Sequence, residues 1–266
     1  MATKTTWLVL AGLCLFLGGE RTMAQSADSG STGNGPAKDW SFIVAPYLLA
    51  PTITGSSRVG RLPATDIDVS PGTIFSNLHL GGMLHLEALY QDRFGAVFDV
   101  AYMSLGAATD TPLTGGRVRS KVDQVVLEGF LSYRAFNIPT TKIDLYTGGR
   151  YWDISIDLDA TGTIAGNFDI TRGDRWIDPV IGARLTHNFT EDLSGRLRGD
   201  IGGFGAGSDF TWSAVAGLDY SLSDTWSAHV MYKALGVDFD NGKSGTQGFG
   251  YDTITHGPLL GLSARF

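Results

Sequence analysis

Residues 260–266 (LGLSARF) indicate the fold class, because apolar and polar residues alternate along them. Glycine, serine and arginine occupy the positions between four apolar residues, which are Leu260, Leu262, Ala264 and Phe266. A period of two places successive side chains on opposite faces of a β-strand. The segment therefore predicts a strand that has one apolar face and ends on an aromatic residue.

Similar segments recur along the chain, with turn-forming residues between them. The 36 glycines and the aromatic content of 11% favour short strands and tight turns over helices. We predict ten strands, although eight or twelve also fit the pattern. The ten lie at about residues 40–51, 79–91, 94–105, 120–135, 142–154, 175–187, 193–202, 209–221, 225–236 and 252–266.

The connections between these strands alternate in length. Those after the even-numbered strands are short, as at Asp92-Arg93, and those after the odd-numbered strands are mostly long, the first covering residues 52–78. This asymmetry is typical of transmembrane β-barrels, whose short turns are periplasmic. The connection at residues 203–208 is short and departs from the trend.

Aromatic residues occur at two heights on the apolar faces of the predicted strands. The group near the short turns comprises Tyr90, Phe94, Tyr133, Tyr220, Trp226 and Phe266. The group toward the long loops comprises Tyr102, Tyr151, Trp212 and Tyr232. Two such girdles flank the apolar band of an outer-membrane barrel, whereas a soluble β-sandwich would keep its polar face outside. The pattern predicts an all-β, transmembrane, antiparallel up-and-down barrel over residues 40–266.

Three prolines conflict with this interpretation, because they lie within predicted strands: Pro46, Pro179 and Pro258. Proline cannot donate a ladder hydrogen bond, and a closed barrel has no free edge that would tolerate it. We interpret these positions as bulges or strand ends.

The first residues have the layout of a secretory signal peptide. Lys4 precedes an apolar run at residues 7–19 (WLVLAGLCLFLGG), which is too short for a membrane-spanning helix, and Ala24 offers a small residue for cleavage. We predict a signal peptide at residues 1–24 and a flexible Gly/Ser-rich tail at residues 25–39. Cys14, the one cysteine, lies in the signal peptide, so the mature chain has no thiol chemistry.

Several stretches together resemble a family of uncharacterised outer-membrane β-barrel proteins of Gram-negative bacteria, of small porin-like or OmpA-like-barrel type. They are residues 45–51 (APYLLAP), 149–153 (GRYWD), 176–184 (WIDPVIGAR), 199–212 (GDIGGFGAGSDFTW) and 256–266 (HGPLLGLSARF). The resemblance implies the barrel fold and the bacterial outer membrane, without an established activity. It also implies that the barrel-assembly machinery reads Leu260, Leu262, Ala264 and Phe266 as an assembly signal. Leu49 departs from the family, in which an aromatic residue is expected there.

The polar faces are predicted to fill the barrel interior with seven acidic and seven basic residues. These are Glu87, Asp99, Glu128, Arg134, Asp144, Arg150, Asp178, Arg184, Arg196, Arg198, Asp200, Asp219, Lys233 and Arg265. An unpaired buried charge is costly, so equal numbers of opposite sign favour a ladder of ion pairs that plugs the lumen. A selective pore would instead show one sign in excess at a constriction.

Enzymatic, metal and nucleotide chemistry have weaker support. His85 and Glu87 share the inward face, which fits a general base, but no catalytic motif accompanies them. The five histidines show no metal-ligand spacing, and residues 199–207 (GDIGGFGAG) lack the lysine of a phosphate loop. We predict no enzymatic activity and no catalytic, cofactor-binding or metal-binding residues. The net charge of −7 without a basic run predicts no nucleic-acid partner.

These patterns favour a monomeric, plugged barrel with a structural or surface-interaction role exerted through its extracellular loops. The alternative function is a small porin-like channel for ions or small solutes. A function as an outer-membrane enzyme has less support. The expected partners are outer-membrane lipid, lipopolysaccharide and, during biogenesis, the barrel-assembly machinery.

The assembly signal is testable at Phe266. Phe266→Ser, or deletion of Phe266, should lower the amount of assembled barrel and increase its degradation, because the aromatic end of the apolar face is lost. Heat-modifiable gel migration of outer-membrane fractions under native expression measures the assembled fraction. Unchanged assembly would contradict the signal.

Overall fold

A computed structural model describes residues 39–110, 116–163 and 166–266. The predicted signal peptide at residues 1–24 and all of the predicted tail except Asp39 lie outside these residues. No helix in the described ranges is both long and apolar enough to cross a membrane.

Nearly all of the described chain is β-structure. One short helix, α1 (Pro71–Asn77), and a 3-10 turn at Gly245–Gln247 interrupt the strands. The strands are β1 (Trp40–Leu49), β2 (Thr52–Val59), β3 (Thr65–Val69), β4 (Leu78–Tyr90), β5 (Phe94–Asp110), β6 (Arg117–Ile138), β7 (Thr141–Thr163), β8 (Gly166–Asn188), β9 (Leu193–Gly203), β10 (Phe210–Ser221), β11 (Trp226–Asp240) and β12 (Phe249–Arg265).

Ten of these strands form a closed antiparallel barrel. β1 pairs with β4, each strand from β4 to β12 pairs with the next, and β12 pairs with β1 to close the ring. The ten correspond to the ten strands predicted from the sequence, so the predicted fold class is confirmed. The side chains alternate inward and outward along each strand, as the period of two requires.

The long connection predicted at residues 52–78 contains structure that the sequence did not reveal. β2 continues upward along β12 beyond the end of β1, β3 pairs with β2, and α1 follows. Ile74 of α1 is 2% exposed and packs inside the barrel with Ile53 and Met103. This segment therefore fills the upper interior instead of forming an open loop.

Each of the three prolines lies where one of its two neighbouring ladders stops. Pro179 and Pro258 lie inside β8 and β12 and remain paired with β7 and β11, so they mark neither bulges nor strand ends. Pro46 is the last residue of β1 to pair with β4, and the pairing of β1 with β12 omits it. Pro179 lies just beyond Val180, where the pairing of β8 with β9 ends. Pro258 faces the break between β1 and β2, and its carbonyl accepts a hydrogen bond from Ala50 N. A missing N–H therefore removes no ladder bond at these sites.

The outward face is apolar over a band bounded by aromatic residues. Exposed rings near the short turns include Trp40, Phe94, Trp226 and Phe266, and Tyr232 is exposed on the opposite side. Leu260 and Leu262 are exposed on the same face, whereas Ala264 is buried between neighbours. Above the band, outward positions become charged, as at Lys121, Asp153 and Arg175. β6, β7 and β8 extend well beyond the band, at 22, 23 and 23 residues.

The contribution of α1 to stability is testable at two adjacent residues. Ile74→Ala should lower the free energy of unfolding by about 2–4 kcal/mol, because it leaves a cavity among Ile53 and Met103. Phe75→Ala is the matched control, since Phe75 is 53% exposed and its removal leaves no buried cavity. Urea titration of the barrel in detergent measures both variants. Equal effects would show that α1 does not pack inside the barrel.

Candidate functional site

The upper interior contains a layer of stacked aromatic rings. Trp152 lies 5.7 Å from Trp176, and Trp176 lies 3.7 Å from Phe239 with nearly parallel rings. All three are at most 7% exposed. Because Trp152 and Trp176 project from β7 and β8 and Phe239 projects from β11, the stack reaches across the interior from one wall to another. Phe249 and Tyr251 of β12 extend the same cluster.

Below this aromatic layer, the strand register places inward charges beside one another. One row runs through His85, Asp99, Glu128, Arg150 and Asp178, which occupy directly paired positions on β4 to β8. Directly paired residues on one face of an antiparallel sheet are close enough to interact. The row also puts two acidic residues, Asp99 and Glu128, side by side, so each needs further partners from elsewhere.

A second row supplies some of those partners. It runs through Arg134, Asp144, Arg184 and Arg198 on β6 to β9. Here two basic residues, Arg184 and Arg198, are directly paired. Each row contains a like-charged neighbouring pair, and the ion pairs formed across the interior compensate both.

Arg150 is the centre of this network and is 0% exposed. Its guanidinium donates to Glu128 at 2.7 Å, to Asp200 at 2.8 Å and to Thr211 at 3.1 Å. Arg198 donates to the second oxygen of Glu128 at 3.0 Å, across the interior from β9 to β6. Charge-assisted bonds of this kind compensate the loss of hydration of buried charges.

Arg184 organises the lower part of the network. Its two terminal nitrogens donate to both oxygens of Glu87, at 2.8 and 2.6 Å, in a contact that crosses the interior from β8 to β4. It also donates to Asp144, which accepts a further bond from Arg134. Arg196 lies 3.1 Å from Asp219. The predicted interior acids and bases are therefore largely brought together as ion pairs.

Three predicted members of the network form no close ion pair within the described residues. Asp178 is fully buried but pairs with no cation, because it accepts hydrogen bonds from Trp152 Nε1, Trp176 Nε1 and Ser208 N. Lys233 and Arg265 have no carboxylate within ion-pair distance in the described part of the chain. Lys233 Nζ instead lies 6.0 Å from the centre of the Tyr47 ring, and Arg265 is exposed at the lower rim.

Sequence reasoning missed four uncharged or weakly charged partners, which are Tyr47, Tyr146, Thr211 and His229. Tyr47 donates to Asp99 at 2.6 Å, and Tyr146 donates to Asp200 at 2.9 Å. The Tyr146 ring covers Gly182, where a Cβ atom would lie only 2.5 Å from it. Their inward phase on the strands was the available signal, but the predicted network contains only Asp, Glu, Lys and Arg residues.

The lower interior contains a cavity of about 640 Å³ that opens between the short turns. Its inner wall includes Tyr47, Glu87, Asp99, Arg196 and Lys233, and its rim includes residues of the turns at 191–194 and 221–225. The cavity therefore ends at the ion-pair network and not at the opposite mouth of the barrel.

The two inward histidines at the cavity each bind a carboxylate. His85 Nδ1 lies 3.1 Å from Asp99, its Nε2 lies 3.7 Å from Glu87, and His229 Nδ1 contacts Asp219. Within the described residues, no group of three or more His, Cys, Asp or Glu side chains is arranged to hold a metal ion. These contacts fix the orientation of both imidazole rings and connect them to the carboxylates of the charge network.

Asp92, in the short turn between β4 and β5, lies at the rim of the cavity, and its carboxyl group has an altered pKa. Partial burial favours the neutral form, but the hydrogen bond and positive charge of Arg134 and the charge of Lys142 outweigh burial. The pKa of Asp92 is therefore lowered from its ordinary value. Asp92 remains ionised as the outermost acidic partner of the network.

Comparison with known proteins supports the fold of the barrel. The chain is similar to the outer membrane protease OmpT from Escherichia coli, with a TM-score of 0.55 and 11% identity over 85% of this chain and 97% of OmpT. The fold is that of the outer-membrane β-barrels. At this identity the likeness shows the fold alone.

Other solved barrels overlap less well. Ail of Yersinia pestis has a TM-score of 0.37 and 11% identity, covering 85% of this chain and 98% of Ail. The translocator domain of the autotransporter NalP from Neisseria meningitidis has a TM-score of 0.38 and 12% identity, covering 87% and 90%. No protein-family model and no curated protein sequence matches the chain.

The ion-pair network is testable at Arg198. Arg198→Ala should lower the free energy of unfolding by about 3 kcal/mol, because Glu128 and Asp200 lose a buried partner. Arg175→Ala is the matched control: Arg175 is 72% exposed, so its single ion pair with Asp153 should contribute at most about 1 kcal/mol. Melting temperature in detergent reports the difference. If Arg198→Ala changes only ion selectivity and not stability, the network is a hydrated pathway.

Proposed function

We propose that this protein is an integral outer-membrane barrel that is closed to transport and acts as a structural or surface-interaction protein. The observation that carries the proposal is the pair of stacked layers inside the barrel, one of ion pairs centred on Arg150 and Arg184 and one of aromatic rings. In this proposal the barrel is a rigid scaffold that presents the loops and strand extensions at its extracellular end.

Insertion in the outer membrane is supported by the outward surface. Exposed leucine and isoleucine side chains such as Leu131, Ile177 and Leu260 would be unfavourable in water over so wide a band. Aromatic rings border the band on both sides, where they match the two membrane interfaces. A cleaved signal peptide at residues 1–24 and recognition by the barrel-assembly machinery complete this part of the proposal.

The closed interior favours a scaffold over a small solute channel. A pore needs a hydrated path whose charges are free to interact with the solute. Arg150, Glu128 and Asp200 instead satisfy one another in side chains that are at most 2% exposed. Above them, the contact between Trp176 and Phe239 spans the interior.

The surface role is assigned to the extensions of β6, β7 and β8 above the apolar band. Their backbones continue the hydrogen-bonded ladders, so the charged side chains on them are presented by a rigid wall. Pairs such as Lys121 with Asp123 at 2.5 Å and Arg175 with Asp153 at 2.8 Å leave both signs of charge exposed. We propose lipopolysaccharide and surface macromolecules as partners of a monomer.

No catalytic role is proposed for His85, because both of its ring nitrogens face acids of the network. Glu87 is held by two bonds from Arg184 and would have to release them to act as a base. A base that is already paired to a cation is a poor proton acceptor.

Conductance across a planar bilayer tests the closed interior. The purified barrel should give no stable, reproducible channels, whereas a general porin reconstituted in parallel should conduct. Heat-modifiable migration of the same preparation verifies that the barrel is folded. Reproducible unitary channels from the folded protein would overturn the closed scaffold and establish the channel reading.

A further inference from the structure

Lys233 makes no close ion pair with the network, although its positive charge acts on Asp99 and Glu128 from a longer distance. It is 9% exposed, and in the part of the chain that the structure describes no hydrogen-bond acceptor or carboxylate contacts its ammonium. The centre of the Tyr47 ring lies 6.0 Å from its nitrogen. The nitrogen atom is not fully enclosed, because it reaches the cavity that Lys233 lines. An ammonium that faces an open cavity without a close anionic partner is positioned to bind an anion that enters from solution.

Two further cations line the route from the rim to Lys233. Arg265 is exposed at the rim, and Arg196 lies deeper with a side chain that is 27% exposed. The Nε atom of Arg196 lies 3.1 Å from Asp219, and its two terminal nitrogens form no hydrogen bond within the described residues. Cationic side chains with unused hydrogen-bond donors thus occur at three depths of the same cavity.

The acids of the inner cavity wall, in contrast, already have partners. Glu87 accepts two bonds from Arg184, and Asp144 accepts bonds from Arg134 and Arg184. Asp99 is bound by Tyr47 and His85, and Asp219 is bound by His229. The hydrogen-bonding capacity left over in the inner cavity is therefore mainly that of cationic donors.

An apolar surface lies beside Lys233. Tyr47, Val215, Met231 and Leu259 pack together on β1, β10, β11 and β12, and all four line the cavity. Val215 is the direct cross-strand neighbour of Lys233. A ligand whose charged end reaches Lys233 would place the rest of its body against these side chains.

We propose that the cavity binds a small amphipathic oxyanion, such as an aromatic or aliphatic carboxylate, and that Lys233 receives its charged end. The volume of about 640 Å³ falls in the range of small-molecule sites. Glu191, Asp192 and Asp224 at the rim are exposed, so salt screens them, whereas the buried Lys233 is screened much less. The site is blind, because the ion-pair network lies above it.

Binding of 2-naphthoate to the full barrel in lipid nanodiscs tests the proposal. Fluorescence titration should show saturable binding to one site, and the neutral 2-naphthamide should bind at least about tenfold more weakly because it lacks the charge. Lys233→Met keeps the length of the side chain and should weaken 2-naphthoate binding by about tenfold or more. Lys233→Arg should retain binding within about threefold, since the positive charge remains.

Matched variants separate binding from folding. Lys121→Met removes a lysine from the outward face and should leave the affinity unchanged. If Lys233→Met does not migrate as a folded barrel, Arg196→Gln replaces it and should weaken binding by about threefold or more. The proposal is overturned if 2-naphthoate does not saturate, if 2-naphthamide binds equally well, or if the folded variant binds like the parent protein.

Discussion

The burial of Arg150 constrains the whole interior. A guanidinium that is 0% exposed must be matched by acceptors on several sides, and these come from β6, β9 and β10. Such a set of partners exists only when the strands have their observed register. A slip by one residue would turn every inward charge toward lipid, where it has no partner. The charge network thus specifies one pairing of the strands as well as filling the barrel.

Asp178 shows how the aromatic layer and the glycine-rich connection depend on each other. Its carboxylate is surrounded by the indole N–H groups of Trp152 and Trp176 and by the backbone N–H of Ser208. The approach of that backbone requires Gly207, where a Cβ atom would lie 2.6 Å from the carboxylate oxygen. The connection after β9 is therefore short because it folds onto the barrel wall, which explains its departure from the length trend.

The sequence was sufficient for the ten strands and for the inward phase of their charges, because both follow from a period of two. It was insufficient for β2, β3 and α1, which are at most eight residues long and pack against β12 and β5 only in the assembled barrel. The pairing of particular charges was also not predictable. Arg184 reaches Glu87 across the interior, and that contact depends on barrel closure and not on spacing along the chain. The prolines were misleading for the same reason, since the ends of ladders are properties of the assembled sheet.

The strands of the barrel differ greatly in height. β7 and β8 continue to Thr163 and from Gly166, whereas β9 and β10 meet at a turn after Gly203. The end of the barrel opposite the short turns is consequently tall at β7 and β8 and low at β9 and β10. A large molecule that approaches this end from the side would meet the extended strands β7 and β8 from one direction and the low turn between β9 and β10 from the other. Because the two sides differ in height, a molecule bound at this end would have one preferred rotational orientation about the barrel axis.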